Sequence, residues 1–114
     1  MADKQTAEIV DALYAVIESR RGGDPDASYT AQLLARGTGK IAEKVGEEAV
    51  ETALAAVSEG RDKVVSESAD LLFHLTVLWS HLGIEPAEVM AELARREGIS
   101  GIAEKASRKE DRDQ

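Results

Sequence analysis

Lys44-Val45-Gly46-Glu47-Glu48-Ala49-Val50-Glu51 and Glu67-Ser68-Ala69-Asp70 are the two stretches from which the rest of the chain is read. Each carries an acidic pair spaced i,i+3, Glu48 with Glu51 and Glu67 with Asp70. Residues at that spacing share a helix face one turn apart. If the two helices pack antiparallel as neighbours, four carboxylates converge. Two unit charges about 4 Å apart at an effective dielectric of about 20 repel by roughly 4 kcal/mol, so the cluster asks for cations. A ligand set of carboxylates without Cys suits hard Mg²⁺ or Mn²⁺ better than zinc.

The composition agrees with a helical reading. The chain has 114 residues, enough for one domain with one core. It is 43% hydrophobic but only 4% aromatic, with 2 Pro, which favours helices of Ala, Leu, Val, Glu and Lys over a β-sandwich. A net charge of −8 argues against a basic nucleic-acid face. No Cys is present, so disulfides and Cys-based zinc sites are excluded. The opening Met-Ala-Asp-Lys-Gln lacks a basic-then-apolar leader pattern, and no apolar run reaches membrane-spanning length. A soluble, cytoplasmic protein without a membrane partner is expected.

Outward from the acids, glycines and capping residues mark the elements. Asp3 is placed to cap a first helix running to about Arg20, with Ile9, Leu13, Val16 and Ile17 at helical spacing. Gly22-Gly23-Asp24-Pro25-Asp26 is a loop. Ser28 caps a short turn from Tyr29 to Arg36, stopped by Gly37. Thr38 or Gly39 opens a long helix to Glu59, whose predicted apolar stripe is Ile41, Val45, Ala49, Ala53 and Val57. Asp62 is the predicted cap of the next helix, which ends near Leu82 before Gly83. From Leu71 to Trp79 that helix is apolar nearly all round, which suits a central helix or a dimer core. Glu85-Pro86 starts a further helix with Val89, Met90 and Leu93 facing inward and Gly98 at its end. Ser100–Ala106 has room for one more turn, and Ser107–Gln114 reads as a frayed charged tail. The fold class is all-α, a compact bundle of four to five helices in a single domain spanning residues 1–114.

Each chemical reading has a plainer rival. Glu47, Glu48 and Glu51 alone fit a solvated helix face. Asp70 does not, because it directly precedes the most apolar segment, and a buried carboxylate is costly unless paired or metal-bound. His74, one turn on, is placed to bond Asp70 or a ligand, with a satisfied core histidine as the plainer alternative. His81 lies at the helix end, where a cation suits the dipole. Gly37-Thr38-Gly39-Lys40 fails as a Walker loop, since Leu34 and Ile41 replace the required Gly and Ser/Thr. Arg36, Lys40 and Lys44 still set positive charge within a few turns of the acids, which suits a ligand with several phosphates. Ordinary pairing of Lys40 with Glu43, or Lys44 with Glu48, is the alternative. No Glu-x-x-His pair supports a di-iron bundle, and no EF-hand loop occurs.

Glu47-Glu48-x-x-Glu51 followed by Glu67-x-x-Asp70 resembles the Mg²⁺-binding motif of the all-α, MazG-like nucleoside triphosphate pyrophosphatases. Within that superfamily, Lys44-Val45-Gly46-Glu47-Glu48-Ala49, Ala69-Asp70-Leu71-Leu72-Phe73-His74-Leu75 and Ser28-Tyr29-Thr30 resemble the phosphoribosyl-ATP pyrophosphatase branch. The resemblance implies hydrolysis of phosphoribosyl-ATP to phosphoribosyl-AMP and pyrophosphate, the second step of histidine biosynthesis, by a homodimer whose helices share one core. It implies Mg²⁺ on Glu48, Glu51, Glu67 and Asp70. Glu47 would support that set or orient the attacking water, and Lys44, Lys40 and Arg36 would hold phosphate oxygens. Arg95, Arg96, Lys105 and Arg108 form a second basic group that either closes over the phosphoribosyl end or solubilises the tail. Two other functions fit the same residues: a house-cleaning pyrophosphatase for ordinary or damaged nucleoside triphosphates, and a non-catalytic helical dimerisation module.

Overall fold

Glycine and proline set the ends of the helices. A computed structural model describes the backbone of residues 2–97 and 105–109, with side chains from Glu8 onward. The elements are α1 (Ala2–Ser19), α2 (Tyr29–Arg36), α3 (Thr38–Ser58), α4 (Arg61–Leu82) and α5 (Pro86–Arg95). A short helical segment follows over 105–109, and no strand occurs among the described residues, so the fold is all-α. Ser28 caps α2 by accepting a hydrogen bond from the Ala31 amide at 3.1 Å. Gly37, between α2 and α3, has φ 88°, a conformation that only glycine adopts cheaply. Gly83 closes α4 in the left-handed region, φ 73° and ψ 25°. Pro86 opens α5, and the Glu88 carboxylate accepts the Glu85 amide at 2.9 Å.

Two predicted caps are corrected. Asp3 lies inside α1, which begins at Ala2. Asp62 lies in the first turn of α4, with Gly60 at the cap position, so it acts on the helix dipole rather than as a cap. Gly98 and most of the Ser100–Ala106 turn lie outside the described residues.

α3 and α4 form an antiparallel hairpin, and α4 also packs on α1 and α2. The core sits where the start of α3 and the end of α4 meet the other two helices: Ile17, Leu33, Leu34, Ile41 and Val77, with Leu13, Phe73 and Leu78 against them. The central position expected of the Leu71–Trp79 segment is therefore observed, although Leu72 is exposed. Arg21 donates to the Ser80 carbonyl and hydroxyl, and the Ser80 hydroxyl donates to Glu18 at 2.7 Å. This clasp ties the exit of α1 to the end of α4.

The predicted stripe on α3 is corrected. Ile41 is buried, but Ala49 and Ala53 are exposed and Val57 is 84% exposed. Steps of four residues advance about 40° each, so a strict i,i+4 row winds off the buried face within a few turns. The buried positions instead step by seven: Ile41, Glu48 and Ala55, a spacing that drifts only about 20° per step. On α1 the row facing the core is Val10, the half-buried Leu13 and Ile17, while Ile9 and Val16 are exposed. On α5, Val89 is half-buried and Met90 and Leu93 are exposed.

Candidate metal centre

The seven-residue step puts Glu48 on the face of α3 that packs against α4. On α4, Glu67 and His74 occupy the matching buried row. Glu48 is 8% exposed and Glu67 7%, so two acids stand where apolar residues belong. One ligand oxygen each from Glu48, Glu67 and Asp70 lies within 4.8 Å of the others. Asp70 is exposed and opens this cluster to solvent. Glu51, one turn beyond Glu48, borders it. A hydrogen bond with Glu67 and the charge of Glu48 raise the Glu51 carboxyl above its ordinary range.

The decisive observation concerns two atoms. Among the described residues, Oε2 of Glu48 and Oε2 of Glu67 are buried without any hydrogen-bond partner. An unpaired buried carboxylate oxygen loses its hydration without compensation, a cost of several kcal/mol. The other oxygen of Glu67 is paired with Lys63 Nζ at 3.4 Å. Two unpartnered buried oxygens, with the exposed Asp70 carboxylate in the same cluster and Glu51 beside it, fit a divalent cation such as Mg²⁺ or Mn²⁺.

The remaining predicted residues lie outside this set of ligand oxygens. Glu47 is not among the clustered ligand residues and pairs with Lys44 at 3.0 Å, which raises the lysine and lowers the glutamate from their ordinary pKa values. The rival pairing of Lys44 with Glu48 is thus replaced by one with Glu47. Lys40 pairs with Glu43 at 3.4 Å, as the plainer reading expected. Arg36 is exposed in the last turn of α2. His74 is 6% exposed. Its Nδ1–H donates to the Asp70 carbonyl at 2.8 Å, so Nε2 accepts from the Tyr29 hydroxyl at 2.9 Å. Phe73 and Tyr29 meet its ring edge-on. It is a satisfied histidine that supports the turn bearing Asp70. His81 bonds Thr38 Oγ1 at 2.8 Å, joining the end of α4 to the start of α3. Arg95 and Arg96 both pair with Glu92, whose carboxyl they pull down to about 2.

Sequence reasoning missed Lys63 and Tyr29. The i,i+4 spacing of Lys63 and Glu67 is a usable signal. The pairing of Tyr29 with His74 joins distant parts of the chain and leaves no local trace.

Comparison with known proteins identifies the family. The phosphoribosyl-ATP pyrophosphohydrolase family profile matches residues 10–97. The phosphoribosyl-ATP pyrophosphatase of Paramagnetospirillum magneticum is 65% identical over 104 residues, 91% of this chain and 95% of that protein. Proteins of the same description from Azospirillum brasilense and Rhodospirillum rubrum are 59% and 61% identical, covering 94% and 90% of this chain and 96% and 87% of their own. With the matched span running from α1 through α5 and including every acid of the cluster, the chain belongs to the phosphoribosyl-ATP pyrophosphohydrolase family.

Proposed function

We propose that this chain is the hydrolase that splits phosphoribosyl-ATP into phosphoribosyl-AMP and pyrophosphate, the second step of histidine biosynthesis, and that it does so with Mg²⁺. Family membership supports the substrate and the phosphoanhydride bond attacked. The buried, unpartnered oxygens of Glu48 and Glu67 are the observation that carries the metal requirement.

Glu48, Glu51, Glu67 and Asp70 would hold the cation. Bound there, it would neutralise charge on the phosphates and lower the pKa of a coordinated water. The chain's own groups do the rest. Lys44 and Glu47 form a pair at the edge of the site. A phosphate that draws Lys44 away leaves the Glu47 carboxylate free to accept a hydrogen bond from the attacking water. Lys44, Lys40 and Arg36 then offset the charge that grows on the leaving pyrophosphate. His74 keeps the Asp70 turn and Tyr29 in place, and it reaches the substrate only through them.

A homodimer is part of the proposal. α3 leaves Val50, Leu54 and Val57 exposed on one face, and α4 leaves Val65 and Leu72 exposed. Apolar rows on both helices of the hairpin support a second copy packing there.

Pyrophosphate release from phosphoribosyl-ATP, measured with Mg²⁺ and again with excess chelator, tests this function. Activity that needs the metal and disappears in Glu48→Gln and Glu67→Gln supports it. Activity that survives chelation removes the metal from the mechanism.

A further inference from the structure

Lys63 sits where helix electrostatics disfavour it. It is the third residue of α4, inside the first turn, where the dipole presents positive charge and repels an ammonium group. Its side chain is half exposed, yet its Nζ lies 3.4 Å from Oε1 of the nearly buried Glu67. The other oxygen of Glu67 is the one left without a partner. Lys44 and Lys40, the basic groups nearest in sequence to Glu48, are held by Glu47 and Glu43 instead. Lys63 also borders an open cleft of about 470 Å³ at the tip of the hairpin, lined with Glu59 and Asp62, which offers the ammonium alternative partners.

We infer that Lys63 is a tethered counter-cation of the acidic cluster: held on Oε1 of Glu67, it opposes a divalent metal arriving at the free Oε2 and swings into the hairpin cleft as the metal binds. The inference rests on the reading of the acids as a metal site. With the metal absent, the ammonium offsets part of the repulsion among the carboxylates. When the metal arrives, two cations compete for Glu67, and the one on a flexible stem at the protein surface yields. The displaced ammonium is then free for phosphate oxygens of an incoming polyphosphate. A lysine that merely oriented Glu67 for the metal has the opposite signature, because its loss weakens metal binding.

The test is calorimetric titration of Mg²⁺ into the metal-free protein, without nucleotide, for the wild type, Lys63→Met and Lys63→Arg. Helicity by circular dichroism confirms folding, which an exposed side chain should not disturb. Lys63→Met is expected to bind Mg²⁺ about three- to tenfold tighter, and Lys63→Arg within about twofold of the wild type. The rise in Tm on saturation with Mg²⁺ is likewise expected to be larger for Lys63→Met. Unchanged or weaker binding by Lys63→Met overturns the role of Lys63 alone, and so does equal tightening in Lys63→Arg. A folded wild type that binds no Mg²⁺ overturns the metal site and this inference together.

Discussion

Glu48 on α3 and Glu67 on α4 face each other across the hairpin with one buried, unpartnered carboxylate oxygen apiece, in a cluster whose ligand atoms lie within 4.8 Å. The fold tolerates this arrangement at a cost in stability that a bound cation would remove. The relationship therefore ties metal binding to stability as well as to catalysis.

Glu48→Gln and Glu67→Gln keep the shape of the side chain and remove the charge. Each variant is expected to match or exceed the wild type in metal-free Tm. Mg²⁺ at about a hundredfold over Kd should stabilise the wild type by about 2.7 kcal/mol, a shift of several degrees. That shift should vanish in both variants. Thermal unfolding with and without Mg²⁺ measures it, and a variant that keeps the full shift takes its residue out of the ligand set.

Glu51 supplies a pH signature. Its carboxyl is raised above the ordinary 4.5 by the hydrogen bond with Glu67 and the charge of Glu48. A raised folded value means that stability is fully present below the unfolded value and is lost as pH climbs through the folded one. Glu18, Glu47 and Glu92 are lowered instead, so their contributions hold above 4.5 and fade only as pH falls below it. As pH climbs from 4.5 through the raised folded value, the metal-free protein should thus lose stability relative to Glu51→Gln. Parallel denaturation curves at several pH values give the difference directly, and a constant difference contradicts the coupling.

His74 and Tyr29 separate support from substrate contact. Tyr29→Phe leaves Nε2 of the buried His74 without its donor, at an expected cost of about 1–2 kcal/mol. Urea unfolding reads the loss, and steady-state kinetics read kcat and KM. A raised KM with no loss of stability would give the pair a direct part in binding.

Gly46 lies inside α3 with nothing within 4 Å of an added Cβ. Gly46→Ala is expected to stabilise the chain by about 0.5–1 kcal/mol in denaturant unfolding, because alanine restricts the unfolded chain and favours helix. Destabilisation, or dissociation of the assembly, would show that another surface closes on Gly46.

Leu54 and Leu72 test the homodimer. Both are exposed apolar residues on the hairpin. Leu54→Glu or Leu72→Glu should convert a dimer to a monomer by light scattering. A wild type that is already monomeric at micromolar concentration contradicts the shared core.

Much of this was legible in the chain because it is local. Ser28, Gly37, Gly83 and Pro86 each act on their own turn, and the structure places all of them at the helix ends they announce. The i,i+3 acids needed only the packing of adjacent helices to meet. The faces were harder. An i,i+4 row looked continuous from Ile41 to Val57, but the helix rotates it out of the core, and Glu48 occupies the buried step instead. Partner choice was harder still, since Lys44 had acids at both i+3 and i+4 and took Glu47. Tyr29 and His74 meet only through the packing of α2 on α4, which no local spacing encodes.

The most direct measurement is kcat/KM for pyrophosphate release in Mg²⁺, with phosphoribosyl-ATP set against ATP and a panel of deoxynucleoside triphosphates. A strong preference for phosphoribosyl-ATP, of about a hundredfold or more, is expected, because losing every contact to the second ribose phosphate should cost roughly 3 kcal/mol in the transition state. Equal or better turnover of an ordinary triphosphate would keep the metal centre and contradict the assigned substrate.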